Sequence, residues 1–222
     1  MRNTLHRTAN LGLRVAAAGA MSAVLVALPA AKAIAHSPST PRHAVSSGVL
    51  NLKGGTSSVK LDPAAVSALA TLGVSLSASA GDGSAAVPVT DTWNAAVAQG
   101  AVAYTARTVN GATTYRIRAG ALSLGKAGLI ATKAAKSVTF SSVAAQFVSG
   151  MGGKVSVKTD GKHRIDVLRV TSPAVDAKAR TVTASLVLTE RAARALNKAF
   201  SVTTFKTGQK FGTVTVTAPP AV

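Results

Sequence analysis

The chain has no cysteine, one tryptophan and two tyrosines, and aromatics make up only 4% of its 222 residues. Without cysteine it can hold no disulfide, no lipid-anchoring thiol and no thiolate metal site, so stability must come from packing. Acidic residues are also scarce, at 7 against 25 lysines and arginines. A glycosidase needs two facing carboxylates, and no pair here stands out from the rest. Asp62, Asp160 and Glu190 read as a helix cap, a turn residue and a first-turn helix residue, which leaves few acids for proton transfer. The chain has no G-x-S-x-G elbow, H-E-x-x-H, Walker loop, EF-hand or G-x-G-x-x-G between strand and helix. The expectation is a protein with no catalytic residues and no metal site, not an enzyme.

Long apolar runs are also missing, with one short exception. Arg2, Arg7 and Arg14 precede an apolar stretch from Val15 to Leu28, followed by the small-residue sequences Ala31-Lys32-Ala33 and Ala33-Ile34-Ala35. Basic start, short apolar middle and A-x-A site are the parts of a secretory signal peptide. The alternative, a membrane anchor, needs about 20 apolar residues and a basic stop-transfer flank. Residues 1–35 are therefore expected to be a signal peptide removed after Ala35, and the protein is expected to be secreted. Cleavage leaves 187 residues and lowers the net charge from +18 to +14. Export redirects that charge from nucleic acid toward anionic cell-envelope polymers. The basic residues are scattered and never run to five in a row, a pattern that serves solubility and loose wall association as well as a specific anion site.

Residues 36–45 carry Ser, Pro, Thr and His without periodicity and are expected to be a disordered leader. A single domain over 46–218 and a short tail at 219–222 should follow. The tail, Pro219-Pro220-Ala221-Val222, carries no apolar anchor, so release or charge-based retention is expected.

Within the domain, alternation is the main signal. Val49 to Lys53, Gly54-Gly55 and Thr56 to Leu61 read as a hairpin with Lys53 opposite Thr56, which gathers Leu50, Leu52, Val59 and Leu61 on one face. Asn110-Gly111 marks a second hairpin, with Val109 opposite Ala112. It places Val102, Tyr104, Ala106, Tyr115 and Ile117 on one face and Thr105, Arg107, Thr114, Arg116 and Arg118 on the other. At Asp160-Gly161 a three-residue bulged loop is preferred, since it aligns Val155 and Val157 with His163, Ile165 and Val167. Further strands are expected at 85–89, 119–124, 136–140, 168–171, 180–188 and 211–217, with Trp93 in a loop-like stretch and Gly150 to Gly153 in a turn. The fold class is all-β: an antiparallel β-sandwich with two short α-helices.

The helices have clear starts. Asp62-Pro63 opens one with a stripe of Ala65, Ala68, Leu69 and Leu72, ended by Gly73. Thr189-Glu190 opens another, with Ala192, Ala195, Leu196 and Ala199, each 127 positions after its counterpart. The echo is either one strand-to-helix unit used twice, closing the two ends of the sandwich, or chance in an Ala- and Leu-rich chain.

Tyr104 and Tyr115 are either core bulk or a local binding surface, and His163 is either a solvated rim residue or a ligand. Leu61-Asp62-Pro63-Ala64-Ala65-Val66-Ser67-Ala68-Leu69, Leu72-Gly73-Val74, Leu188 to Asn197, Phe205-Lys206-Thr207-Gly208 and Gly212-Thr213 together resemble secreted, Ala/Gly/Thr-rich β proteins of actinobacteria related to the HtaA domain. The resemblance spans most of 46–216. HtaA domains are associated with haem capture by Tyr and His side chains, so it implies Tyr104, Tyr115 and His163 as haem-binding positions and haem as the cofactor. No tryptophan-led opening motif accompanies them. The reading preferred from the residues alone is therefore a non-enzymatic surface module without a cofactor, and an HtaA-like haem-binding protein of an iron-uptake system is the alternative.

Overall fold

Alternating burial runs through nearly the whole domain and makes it a β structure. Ser57, Val59 and Leu61 turn inward along one strand, and Val182, Ala184, Leu186 and Leu188 along another. A computed structural model describes residues 44–220, apart from 83, 150–151 and 160–162. The expected signal peptide and most of the expected leader lie outside the described residues. In chain order the elements are β1 (Ala44–Asn51), β2 (Thr56–Leu61), α1 (Pro63–Thr71), β3 (Ser75–Ser79), β4 (Val87–Val89), β5 (Thr92–Ala96), β6 (Gln99–Val109) and β7 (Ala112–Ser123). β8 (Gly128–Lys133), β9 (Lys136–Val148), β10 (Gly152–Thr159), β11 (His163–Asp176), β12 (Thr181–Leu188), α2 (Glu190–Phe200) and β13 (Lys210–Thr217) follow.

All thirteen strands belong to one antiparallel sheet, which runs β1-β6-β7-β9-β10-β11-β12-β13-β2-β5. β3 and β4 extend it from β8, which itself pairs with the first half of β9. The expected all-β class with two short helices is what forms. The pairing, however, runs through one curled sheet and does not separate into two.

The curl has an identifiable cause at Leu52–Gly55. β1 and β2 are two halves of one bent strand, and β5 and β6 are two halves of another, paired in a common register: Leu50 with Val102, Val59 with Trp93. Across the bend Leu52 N donates to Gly100 O and Val97 N to Gly55 O, both at 2.9 Å. Because β6 pairs onward with β7 and β2 pairs onward with β13, the ladder returns on itself. One contiguous apolar core lies inside, with Leu52, Val97, Val102, Val170, Val182 and Val216 fully buried.

That arrangement corrects the first hairpin. Gly54-Gly55 is a corner, and β1 pairs with β6 while β2 pairs with β13 and β5. The four residues expected on one face are nonetheless all buried, because strand alternation sets the face whichever neighbour the strand pairs with. Trp93 is likewise no loop residue: it sits in β5 opposite Val59 and is buried. Ala44 and Val45, expected in the leader, are strand, Val45 pairing with Arg107. At the other terminus the Pro219 carbonyl accepts from Arg180 Nε at 2.9 Å, which ties the first tail residue to the domain.

The Asn110-Gly111 turn forms as read, and the Asp160-Gly161 turn lies outside the described residues. Val109 faces Ala112 across Asn110 and Gly111, both at positive φ (50° and 81°), the geometry a type I′ turn requires. Thr159 faces His163, so three residues outside the described set separate them, and Val155, Val157, Ile165 and Val167 are all buried.

Both helices begin as the caps predict. The Asp62 carboxylate accepts from Ala64 N at 3.1 Å, Pro63 opens α1, and Gly73 leaves it at φ +66°. The Thr189 hydroxyl accepts from Ala192 N at 3.2 Å and donates to Asp166 O at 2.8 Å, joining α2 to β11. α2 buries Ala192, Ala193, Leu196 and Phe200. Ala195 is exposed, because at 100° per residue it falls roughly a third of a turn from the centre of that face. β2 and β12 flank β13, and Leu61 and Leu186 both face Gly212. The two strand-to-helix units therefore leave from one end of the sheet, not from opposite ends.

Candidate functional site

The β6–β7 hairpin carries two of the three site residues singled out from the sequence, Tyr104 and Tyr115. Its inner face holds Tyr104 and Tyr115, whose rings meet edge to face with centroids 5.7 Å apart and planes at 79°. Both are half-buried and packed against the core. Gly48 of β1 gives Tyr104 its room, since a Cβ there would lie 2.6 Å from the tyrosine hydroxyl. The pair is thus core bulk at the margin of the sheet, and one member also reaches a cleft.

The cleft forms because β9 and β10 stop at this end before the strands on either side of them do. β7 pairs with β9 only from Ala119 onward, and β11 pairs with β10 only as far as Val170. The first half of β7 and the second half of β11 therefore flank a cleft of about 690 Å³, lined by Tyr115, Arg116 and Ile117, by Val148, Ser149 and Gly152, and by Arg169 to Ala174. β11 is irregular here: the register against β12 shifts between Thr171 and Ala174, with Ser172 at φ +50° and Pro173 following. Proline cannot donate to a ladder, so its place in a bulge is expected. Ser149 N donates to Arg118 O at 2.8 Å and closes the floor.

The outer face of this region is basic. Arg107, Arg116 and Arg118 are exposed on β6 and β7, Arg169 is exposed across the cleft, and β1, β6 and β7 contain no acidic residue. Other cations are engaged in structure. Arg164 donates to Ser156 O and Oγ and to Ser142 O at 2.9–3.0 Å, pinning β11 to β10 and β9. Lys154 pairs with Asp166, Lys210 with Asp62 and Arg194 with Glu190. None of these three ion pairs, which are those found among the described residues, involves Arg107, Arg116, Arg118 or Arg169. Lys210 donates to Asp62, and this outweighs desolvation; with help from Ala64 N it holds the Asp62 carboxyl below the ordinary aspartate range.

The structure does not bring the three haem positions together. Tyr115 lines the cleft and Tyr104 packs behind it, but His163 is exposed at the far end of β11 opposite Thr159. Six residues of strand, about 20 Å, separate His163 from Arg169. Sequence reasoning missed Arg169 and the Ser172–Pro173 irregularity; Pro173 inside a β-rich run was the available signal. Among the described residues no three His, Cys, Asp or Glu side chains gather to hold a metal, and no helix is long and apolar enough to cross a membrane. No protein-family model, curated protein or solved structure matches the chain.

Proposed function

We propose that the protein is a secreted, non-enzymatic module that associates with anionic cell-envelope polymers through the outer face of β6 and β7. The observation that carries this reading is the exposed set Arg107, Arg116 and Arg118, joined by Arg169 across the cleft, on strands where β1, β6 and β7 supply no carboxylate. A net charge of +14 after loss of residues 1–35 adds a long-range attraction to any polyanion. Guanidinium groups also match carboxylates and phosphates with paired hydrogen bonds. The attraction is electrostatic and must be screened over about 10 Å at 0.1 M salt. Retention of residues 36–222 on isolated cell envelope should therefore fall steeply as salt rises. Retention that ignores salt, or none at low salt, contradicts the proposal.

A second reading, haem binding, draws support from one feature. Tyr115 lines a cleft whose walls also carry Arg116 and Arg169, two cations suited to carboxylates. Haem would supply an iron that a tyrosine oxygen can ligate. Hemin titration separates the readings: a saturable Soret shift that is lost in Tyr115→Phe favours haem, and its absence favours the envelope module.

A further inference from the structure

The interior is not completely filled. An apolar cavity of about 100 Å³ lies inside the curled sheet, among Val143, Ala145, Val155 and Val157 as well as larger leucines and phenylalanines, with Ala192 and Leu196 of α2 also in its wall. Ser57, the only buried polar side chain among the described residues, and Trp93 also face it. Protein interiors leave few voids larger than a water, and apolar cavities stay dry and accept small apolar groups. A second, outer cleft of about 620 Å³ lies between β4 and β5, with Ala78, Pro88, Val89 and Ala95 in its walls. Lys126 is the one charged residue in that lining.

Trp93 and Leu124 line both spaces. One indole and one leucine are thus shared by an outer cleft holding a single cation and an apolar cavity inside the sheet. We propose that cleft and cavity form one site for a single-chain amphiphile of the fatty-acid class. The end of its alkyl chain lies in the cavity against Trp93, and its carboxylate stays in the cleft at Lys126. Alanines make room in the cleft beside Trp93, and the one cation of its lining stands where an anionic head would emerge. The inference concerns the inside of the sheet and is independent of the basic face of β6 and β7.

Trp93 is the only tryptophan, so its fluorescence reports on the site directly. The probe is 12-bromododecanoic acid, whose terminal bromine quenches an indole only on contact, titrated into the protein without residues 1–35. The site predicts saturable quenching that unbrominated dodecanoic acid reverses. It also predicts loss of quenching in Ala192→Leu and in Val157→Leu, which fill the cavity from α2 and from β10, and weakening by several-fold in Lys126→Gln. Circular dichroism establishes that each variant is folded. Absence of saturable quenching in the folded wild-type protein overturns the proposal, and so does undiminished quenching in either folded cavity-filling variant. If neither filled variant folds, the wild-type titration and its reversal decide alone.

Discussion

Gly54 and Gly55 look interchangeable in the sequence, yet they should respond to substitution in opposite ways. Only Gly54 has a positive φ, +78°, and a Cβ there would meet nothing within 4 Å. Gly55 has an ordinary backbone, but its Cβ would lie 2.2 Å from Thr217 O and 3.0 Å from Leu52 O. Both of those atoms are backbone, so no side-chain rotation relieves the contact. Gly55→Ala must push β13 away from the corner where β1 passes into β2. Overpacking of this kind costs about 1–3 kcal/mol. For a domain of this size each kcal/mol shifts the melting temperature by about 2–4 °C, so a loss on the order of 6 °C is expected. Gly54→Asn should change stability by under about 0.5 kcal/mol, because asparagine tolerates the left-handed region and the site is open. Thermal unfolding of residues 36–222, followed by circular dichroism, measures both. A type I′ hairpin would place both glycines at positive φ and penalise both alanines similarly. If Gly55→Ala melts with the wild type, or Gly54→Asn proves the worse of the two, the corner and the closed ladder built on it are wrong.

Three further outcomes follow from the same geometry. Thr189→Ala removes the α2 cap and its bond to Asp166 O, and should cost about 1–2 kcal/mol in denaturant unfolding, whereas Thr189→Ser should retain most of it. Asp62 has its carboxyl lowered by Lys210, so it contributes stability that is whole above the ordinary aspartate value near 3.8 and is lost as pH falls through the lower folded value. Acid titration of the melting temperature should therefore be shallower in Asp62→Asn, and Lys210→Gln should flatten it in the same window. Gly48→Ala should displace the Tyr104 ring from its edge-on contact with Tyr115, read as a changed near-ultraviolet tyrosine signal with the fold retained.

What was legible in the sequence is what depends on neighbours along the chain. Caps at Asp62 and Thr189 declare themselves because the capping oxygen reaches an N–H two or three residues on. Asn110-Gly111 defines its hairpin because only such residues take two successive positive φ angles. Faces were equally readable: Leu50, Leu52, Val59 and Leu61 are buried although their strand partners were misjudged. Partner choice is a long-range property. Nothing local tells β1 to pair with β6 some fifty residues later, or Trp93 to face Val59. The cleft was hidden for the same reason, since it arises where β9 and β10 stop while β7 and β11 run on past them. Its two arginines, Arg116 and Arg169, stand 53 positions apart in the chain, on strands that flank the gap without pairing across it. The same distance effect makes Tyr115 and His163 look like one set in the sequence, although about 20 Å of β11 separates His163 from the cleft.

The reading of the protein as an envelope-associated module rests on the arginines of β6 and β7. The most direct measurement compares wild type with the triple variant Arg107→Gln, Arg116→Gln, Arg118→Gln for binding to isolated anionic envelope polymer at low salt. At roughly 0.5 kcal/mol for each exposed charge contact, loss of three should weaken binding about tenfold. The variant's melting temperature should not fall, because none of the three is in an ion pair among the described residues. Equal binding by the two proteins would place the attachment elsewhere and contradict the account.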